Sequence, residues 1–329
     1  MKILVTGSSG FVGAAVVRYL VAQGADVRVM LRASSSTTNI DGLAVERVVG
    51  DLLDAESLGA AVAGCHSIYH VAADYRLWVR DPTVLYRANV DGTVNLMRAA
   101  LAEKVRRVVY TSSVATLGLH ADGTPANEDS PVDLPDMVGH YKRSKYLAEQ
   151  AVQGLIRDEG LPAVIVNPST PLGPGDVKPT PTGQMVVDAM DGKIPAYVDT
   201  GMNLVHVDDV ATGHVLAYER GEIGERYILG SENLTLKNIL QSIAEITGGR
   251  PPLFKLPHAV AMLIAHVNEG TVRILGRGAP RVSIDSVKMS RKKMFFSSEK
   301  ARSELGYEPR PAMDALRDAI DWFASHDRK

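Results

Sequence analysis

The sequence predicts an α/β fold, a doubly wound parallel sheet carrying a smaller, mostly helical C-terminal lobe. Three observations carry that prediction. Short β-branched runs alternate with helix-length segments, a glycine-rich turn follows the first run, and the alternation stops near residue 170.

Taken in order, KILVTG from residue 2, DVRVML from 26, ERVVGD from 46, SIYHVAA from 67, RRVVYTSS from 106 and AVIVNPS from 163 read as strands. They are nearly continuous apolar runs, as parallel strands covered on both faces require. The gaps hold helical patterns, clearest in FVGAAVVRYLVAQG from 11 and VLYRANVDGTVNLMRAALAEKV from 84. Proline and glycine then crowd PLGPGDVKPTPTG, where a second lobe begins. DDVATGHVLAYERG and ERYILG, within 208–231, add a helix and a strand expected to rejoin the first sheet. The tail is mostly helical, in LKNILQSIAEITG, HAVAMLIAHVNEGTVRIL, SSEKARSELG and PAMDALRDAIDWFASH. The expected division is a nucleotide-binding domain of residues 1–169 plus about 208–231, and a substrate lobe of 170–207 and 232–329.

Composition narrows the partners. With 329 residues and 45% hydrophobic content the chain can bury a large core. Its 36 lysines and arginines nearly balance 38 acids, so no global field favours nucleic acid, and a small-molecule substrate is expected. The single cysteine, Cys65, forms neither an internal disulfide nor a zinc site. MKILVTGSSG enters a strand and a turn at once, without a secretory leader, so cytoplasmic residence is expected. No run reaches the ~18 apolar residues of a membrane span. Peripheral membrane contact through 258–276 stays open, beside the plainer reading of a packed amphipathic helix.

The turn reads Gly7-Ser8-Ser9-Gly10-Phe11-Val12-Gly13 and opens a helix. Glycine permits the sharp bend, the close approach of backbone to a pyrophosphate and tight helix–strand packing, while the helix N-terminus offers N–H donors. This context points to a dinucleotide and a Rossmann-type domain. The end of the second strand lies beside the adenosine ribose, where an acid suits NAD and an arginine suits the 2'-phosphate of NADP. Arg32 stands there, so NADP(H) is favoured and NAD(H) stays open, with an ordinary surface arginine as the alternative. Asp51 and Leu52, ending the third strand, are placed for the adenine edge, although Asp51 could instead cap the helix beginning near Ala55. VHVDDV, with His206, Asp208 and Asp209, reads as a strand followed by an acidic helix cap, so no metal is assigned.

Within GHYKRSKYLAEQ, Tyr141 and Lys145 lie four positions apart on a helix, a rise of about 6 Å that returns to nearly the same face. With Thr111-Ser112-Ser113 ending the fifth strand, these residues resemble the short-chain dehydrogenase/reductase superfamily, and the glycine spacing and C-terminal lobe resemble its extended branch. HVAADYRLW, YTSSVATLGL, VNPSTPLGPGDVKPTPTG and AYVDTGMNLVHVDDVATGH resemble the bacterial hopanoid-associated sugar epimerases. They are similar as well to dihydroflavonol 4-reductases and 3β-hydroxysteroid dehydrogenases.

The resemblance implies roles at matching positions. Tyr141 would exchange a proton with the substrate oxygen, and because a free phenol titrates near ~10, Lys145 would supply the cation that favours phenolate. Lys145 would also reach the nicotinamide ribose, with hydride delivered from the 4-pro-S side. Ser113 would hydrogen-bond the substrate oxygen, with Ser112 as the weaker candidate. Asn89 matches the family's asparagine or is a structural amide. Val71, Ala72 and Ala73 would line the cofactor, Pro168 and Ser169 would border the nicotinamide, and Asn167 would contact substrate. A homodimer through the Tyr141 helix and the helix before it also follows from the resemblance.

Three reactions compete on such a fold. Dehydratases place acids directly after the catalytic serine, where this chain has Val114 and Ala115. Epimerases need basic groups for a nucleotide diphosphate, and Lys178, Arg273, Arg277, Arg281, Arg291, Lys292 and Lys293 form no motif of that kind. Met190, Met202, Met262, Leu263 and Ile264, with Tyr75, Leu77 and Trp78 in DYRLWVRD, suit a bulky, partly apolar carbonyl such as a terpenoid or phenolic one. The expectation is therefore an NADP(H)-dependent carbonyl reductase or alcohol dehydrogenase. A sugar nucleotide epimerase linked to hopanoids is second, and an NADP-binding sensor without turnover is third.

Overall fold

A computed structural model of the chain describes residues 1–275 and 278–326. Gly276 and Arg277, named above, and residues 327–329 lie outside the described residues.

The apolar runs become strands β1 (Lys2–Thr6), β2 (Asp26–Leu31), β3 (Glu46–Val49), β4 (Ser67–His70), β5 (Arg107–Thr111) and β6 (Ala163–Pro168). Between them lie helices α1 (Phe11–Ala22), α2 (Ala55–Val62), α3 (Thr83–Tyr86), α4 (Gly92–Ala102) and α5 (Gly139–Glu159). A wider π turn over Arg87–Asp91 carries α3 into α4. Beyond β6 come β7 (Thr170–Leu172), α6 (Pro181–Met190), β8 (Ala196–Tyr197), β9 (Gly201–His206), α7 (Val207–Arg220), β10 (Arg226–Leu229), β11 (Glu232–Thr235), α8 (Leu236–Thr247) and β12 (Phe254–Lys255). Helices α9 (His258–Leu275), α10 (Ile284–Met289) and α11 (Ala312–Ser325) follow.

The main sheet has seven strands in the order β10-β6-β5-β4-β1-β2-β3, and every pairing is parallel. Alternation along the strands supplies two cores. Val5, Val29, Tyr69, Val109 and Val164 face α1 and α7, whereas Leu4, Met30, Ile68, Val108 and Ile165 face α2, α4 and α5. The expectation of a doubly wound sheet is met. The strand order reverses between β2-β1 and β1-β4, leaving a crevice at the carboxyl ends of β1 and β4.

A third core joins β7, β9, α6, α8 and α11 through Leu172, Leu204, Val187, Ile243 and Phe323. Helix boundaries there follow local chemistry. Thr180 caps α6 by accepting from the Gly183 N–H at 3.1 Å, with Pro181 at the first helical position, and Thr235 caps α8. Gly160 and Gly248 end α5 and α8 in the left-handed conformation, with φ of 70° and 69°. No described helix is long and apolar enough to cross a membrane.

Two expectations about caps change. Asp54, not Asp51, caps α2 by accepting from Glu56 N–H at 3.1 Å, while Asp51 accepts from Leu53 N–H within its own turn. His206, not an aspartate, caps α7 through Nδ1, and Asp209 in its first turn binds Arg310 at 2.8 Å. The expected strand is present, and Asp208 and Asp209 stand in the first turn of α7 rather than at its cap.

Candidate active site

Parallel strands end at one edge of the sheet, so β1, β4, β5 and β6 deliver Gly7, Val71 to Ala73, Ser112 and Ser113, and Pro168 and Ser169 to the same crevice. At Gly7, φ is +67°, and a Cβ would stand 2.5 Å from the Ala72 nitrogen. A Cβ on Gly13 would stand 2.1 Å from the Gly7 carbonyl oxygen. These are close backbone approaches that only glycine permits. Helix α1 opens at Gly10 with no side-chain cap, so the first-turn N–H groups keep their capacity for an anion, beside Ser9, Phe11 and Val12. Arg32 is exposed at the end of β2 and has no acidic partner among the described residues; Asp51 is exposed at the end of β3. The Ser112 and Ser169 hydroxyls are buried without hydrogen-bond partners among the described residues. Together these groups fit a dinucleotide laid across the strand ends: N–H donors for the pyrophosphate, a guanidinium at one end and unpaired hydroxyls at the other. Leu52 packs on α4, where a Cβ on Gly92 would approach it to 2.8 Å.

Helix α5 brings the catalytic candidates to this edge. Tyr141 sits in its first turn, half-buried, with its phenol at the Ser113 hydroxyl. Burial pushes the phenol above its ordinary value and the Ser113 hydrogen bond opposes that shift. Lys145, the cation expected to favour phenolate, stands on the same helix. The lysine is 2% exposed and turned toward the sheet, its Nζ donating to the Thr111 carbonyl at 2.9 Å and lying 5.1 Å from the Tyr110 ring centroid. Burial draws Lys145 down to about 8, with Glu149 opposing.

Two of the expected residues hold the frame of the site. Asn167 is fully buried; its Nδ2 donates to the Ser113 carbonyl at 3.0 Å and to Glu149 Oε2 at 2.9 Å, and its Oδ1 has no partner among the described residues. Asn89 is structural: Oδ1 accepts from Asp74 N–H at 2.7 Å, and Nδ2 donates to Asp74 O and Ser144 Oγ, each at 2.9 Å. It ties the loop after β4 to α5. Sequence reasoning missed Glu149, whose carboxyl also accepts from Thr116 Oγ1 at 2.9 Å and so helps hold the Ser113–Thr116 turn. Its spacing of four from Lys145 was the available signal.

A groove of about 560 Å³ runs between the loop after β4 and helices α9 and α10. Leu77, Trp78 and Leu85 face Val272 and Ile284 across it, and His140 stands in its wall. Tyr75 is not part of this lining and is 43% exposed. The expected apolar lining needs correction as well. Met190, Met202 and Met262 pack against cores, whereas Leu263 and Ile264 face solvent. Among the basic candidates, Arg273 pairs with Glu269 and Arg281 with Asp188. Lys142, also missed, lies beside Tyr141 and is drawn down to about 8 by burial and then by Lys292.

Two buried histidines stand behind the site and set an acid limit on stability. His214 Nδ1 donates to the Val210 carbonyl at 2.7 Å, so Nε2 accepts from Thr111 Oγ1 at 2.8 Å. His70 lies between Thr6 and Thr93. Burial lowers them from 6.5 to about 4 and about 3 respectively. Below pH 6.5 the unfolded chain therefore takes up protons that the folded chain refuses. Stability is expected to fall as pH drops from 6.5 toward 4, with a shallower fall in His214→Leu. Thermal midpoints measured across that range check this; equal slopes in the two proteins would remove His214 as a source.

Comparison with known proteins places these features. Residues 3–230 match the NAD dependent epimerase/dehydratase family. A Synechocystis sp. protein provisionally named dihydroflavonol 4-reductase is 45% identical, covering 98% of this chain and 94% of its own. Sterol demethylase protein B of Methylococcus capsulatus is 36% identical over 98% of each chain. A crystal structure described as gox2253 shares 54% identity and 99% of each chain, with a TM-score of 0.90.

Proposed function

The chain belongs to the NAD dependent epimerase/dehydratase family, the extended short-chain dehydrogenase/reductases, and from that premise we propose that it is an NADPH-dependent reductase of a bulky, partly apolar carbonyl. The observation that carries this reading is the meeting of the Tyr141 phenol and the Ser113 hydroxyl at the strand ends, with Lys145 buried on the same helix. Bound NADPH supplies the hydride. Tyr141, kept protonated by burial, donates its proton to the carbonyl oxygen as charge develops there. Ser113 donates a second hydrogen bond to that oxygen and Lys145 adds positive charge behind it.

Cofactor recognition follows the same edge. Gly7, Ser9, Gly10, Phe11, Val12 and Gly13 take the pyrophosphate, Arg32 the 2'-phosphate, and Asp51 and Leu52 the adenine edge. Val71, Ala72 and Ala73 line the middle, and Pro168 and Ser169 the nicotinamide end. Substrate enters over Trp78. Support for an apolar substrate comes from the Leu77, Trp78, Val272 and Ile284 lining and from relatives named for a dihydroflavonol and a sterol. Dehydration is disfavoured, since Val114 and Ala115, where acids would act, are buried at 3% and 4% exposure.

The test is to denature the purified protein, identify any nicotinamide nucleotide released by mass spectrometry, and follow NADPH oxidation with apolar ketones. We expect an exchangeable site and ketone-dependent oxidation. Near-equimolar, tightly held NAD without net oxidation would overturn the reading in favour of a redox-neutral epimerase.

A further inference from the structure

We propose that Glu149 is a positioning residue of the reduction: one buried carboxylate both fixes the turn that presents Ser113 and balances the ammonium of Lys145. The inference rests on the reductase reading. Glu149 lies on α5, 1% exposed, one helical turn beyond Lys145 and two beyond Tyr141. Its Oε2 accepts from Asn167 Nδ2 and Thr116 Oγ1, each at 2.9 Å, and its Oε1 accepts from Arg226 Nη1 at 3.3 Å. These partners come from β6, from the tight turn Val114–Thr116 after β5 and from β10, so one side chain ties three elements to the helix of Tyr141. A guanidinium and an amide N–H on its two oxygens suit the ionised carboxylate.

The first consequence is geometric. The Ser113 carbonyl accepts from Asn167 Nδ2 at 3.0 Å and from Thr116 N–H at 3.1 Å, and Ser113 Oγ accepts from Ala115 N–H at 3.1 Å. With carbonyl and hydroxyl both tied, the direction of Oγ follows the turn, and Asn167 holds its orientation because Glu149 takes the other hydrogen of its amide. The second consequence is electrostatic. Lys145 is faced by Tyr110 from β5, His70 from β4 and Tyr141 on its own helix, and His214 of α7 binds the neighbouring Thr111 Oγ1. Burial raises both phenols and lowers both imidazoles, so all four are neutral between about pH 7 and 9. Glu149, itself paired with Arg226, is the one charge among the described residues that opposes the pull of burial on Lys145. A buried ion pair is a weak source of stability by itself, so the charge points to a use in the site.

Glu149→Gln, which keeps the shape and removes the charge, is the test. We expect kcat at pH 7 to fall about tenfold or more, the scale for a small displacement of a reacting group, with NADPH affinity at that pH little changed. The alkaline limit of turnover, set near pH 8 by Lys145, is expected to move to lower pH, because burial then acts on the ammonium unopposed. Lys142 titrates in the same range, but its charged neighbour is Lys292, so its contribution stays in place. An alkaline limit that does not move overturns the proposal whatever the loss of kcat, since a merely structural carboxylate costs turnover equally at every pH. Unchanged kcat at pH 7 overturns it too. If Glu149→Gln does not fold, Glu149→Asp decides: the charge stays while the carboxyl retreats from the Ser113 turn, so kcat should fall and the alkaline limit stay. Wild-type kcat or a moved limit in that variant overturns the proposal. Should the wild type oxidise no NADPH with any ketone, the reductase reading fails separately, and NADPH affinity followed by fluorescence between about pH 6 and 10 reads Lys145 without turnover. Affinity should then be lost at lower pH in Glu149→Gln than in the wild type, and coincident curves overturn the proposal.

Discussion

Tyr141→Phe is expected to lower kcat by about 10²- to 10⁴-fold, the range for removing a positioned general acid, while leaving NADPH affinity nearly unchanged. The phenol lies with the Ser113 hydroxyl, and Phe keeps the ring and its packing while removing the proton and the oxygen. Stopped-flow or steady-state turnover, paired with NADPH binding by fluorescence, separates the two effects. A variant retaining full kcat would end the assignment of Tyr141 as acid. Comparable losses of turnover and binding would point to a structural role for the ring instead.

The second large effect concerns cofactor choice. Arg32→Asp is expected to weaken NADPH binding by about ten- to a hundredfold, the cost of losing hydrogen bonds to a charged group, and to leave NADH much less affected. Arg32 is exposed at the end of β2 and backed by the turn in which its carbonyl accepts from Ser35 N–H at 2.9 Å, so the exchange should not disturb the core. Titration of both cofactors into wild type and variant reads the ratio directly. An unchanged ratio would return Arg32 to an ordinary surface residue.

Much of the fold was legible because parallel strands buried on both faces must be continuous apolar runs. AVIVNP in β6 is buried at all six positions, and the run alone identifies it. The glycine turn was legible for a related reason: Gly7 and Gly13 sit where a Cβ would strike backbone, so spacing reports geometry. Side-chain destinations were less accessible. Asn167 reads as a polar residue at a strand end near substrate, yet in the fold its amide points under the Ser113 turn to Glu149. Leu263 and Ile264 read as lining, yet the packing of Ala261 and Ala265 turns them outward.

By itself the sequence determined the alternation of strands and helices, the glycine turn, and the presence of Tyr141 and Lys145 on one helix, because each depends on neighbours within a few positions along the chain. Only the tertiary structure decided which way Lys145 turns, that the Tyr141 phenol is raised by burial, and which face of α9 meets water. Those outcomes depend on desolvation and on partners far away in sequence, such as Thr111 for Lys145 and Ile284 for Glu269, and no local pattern encodes such distances.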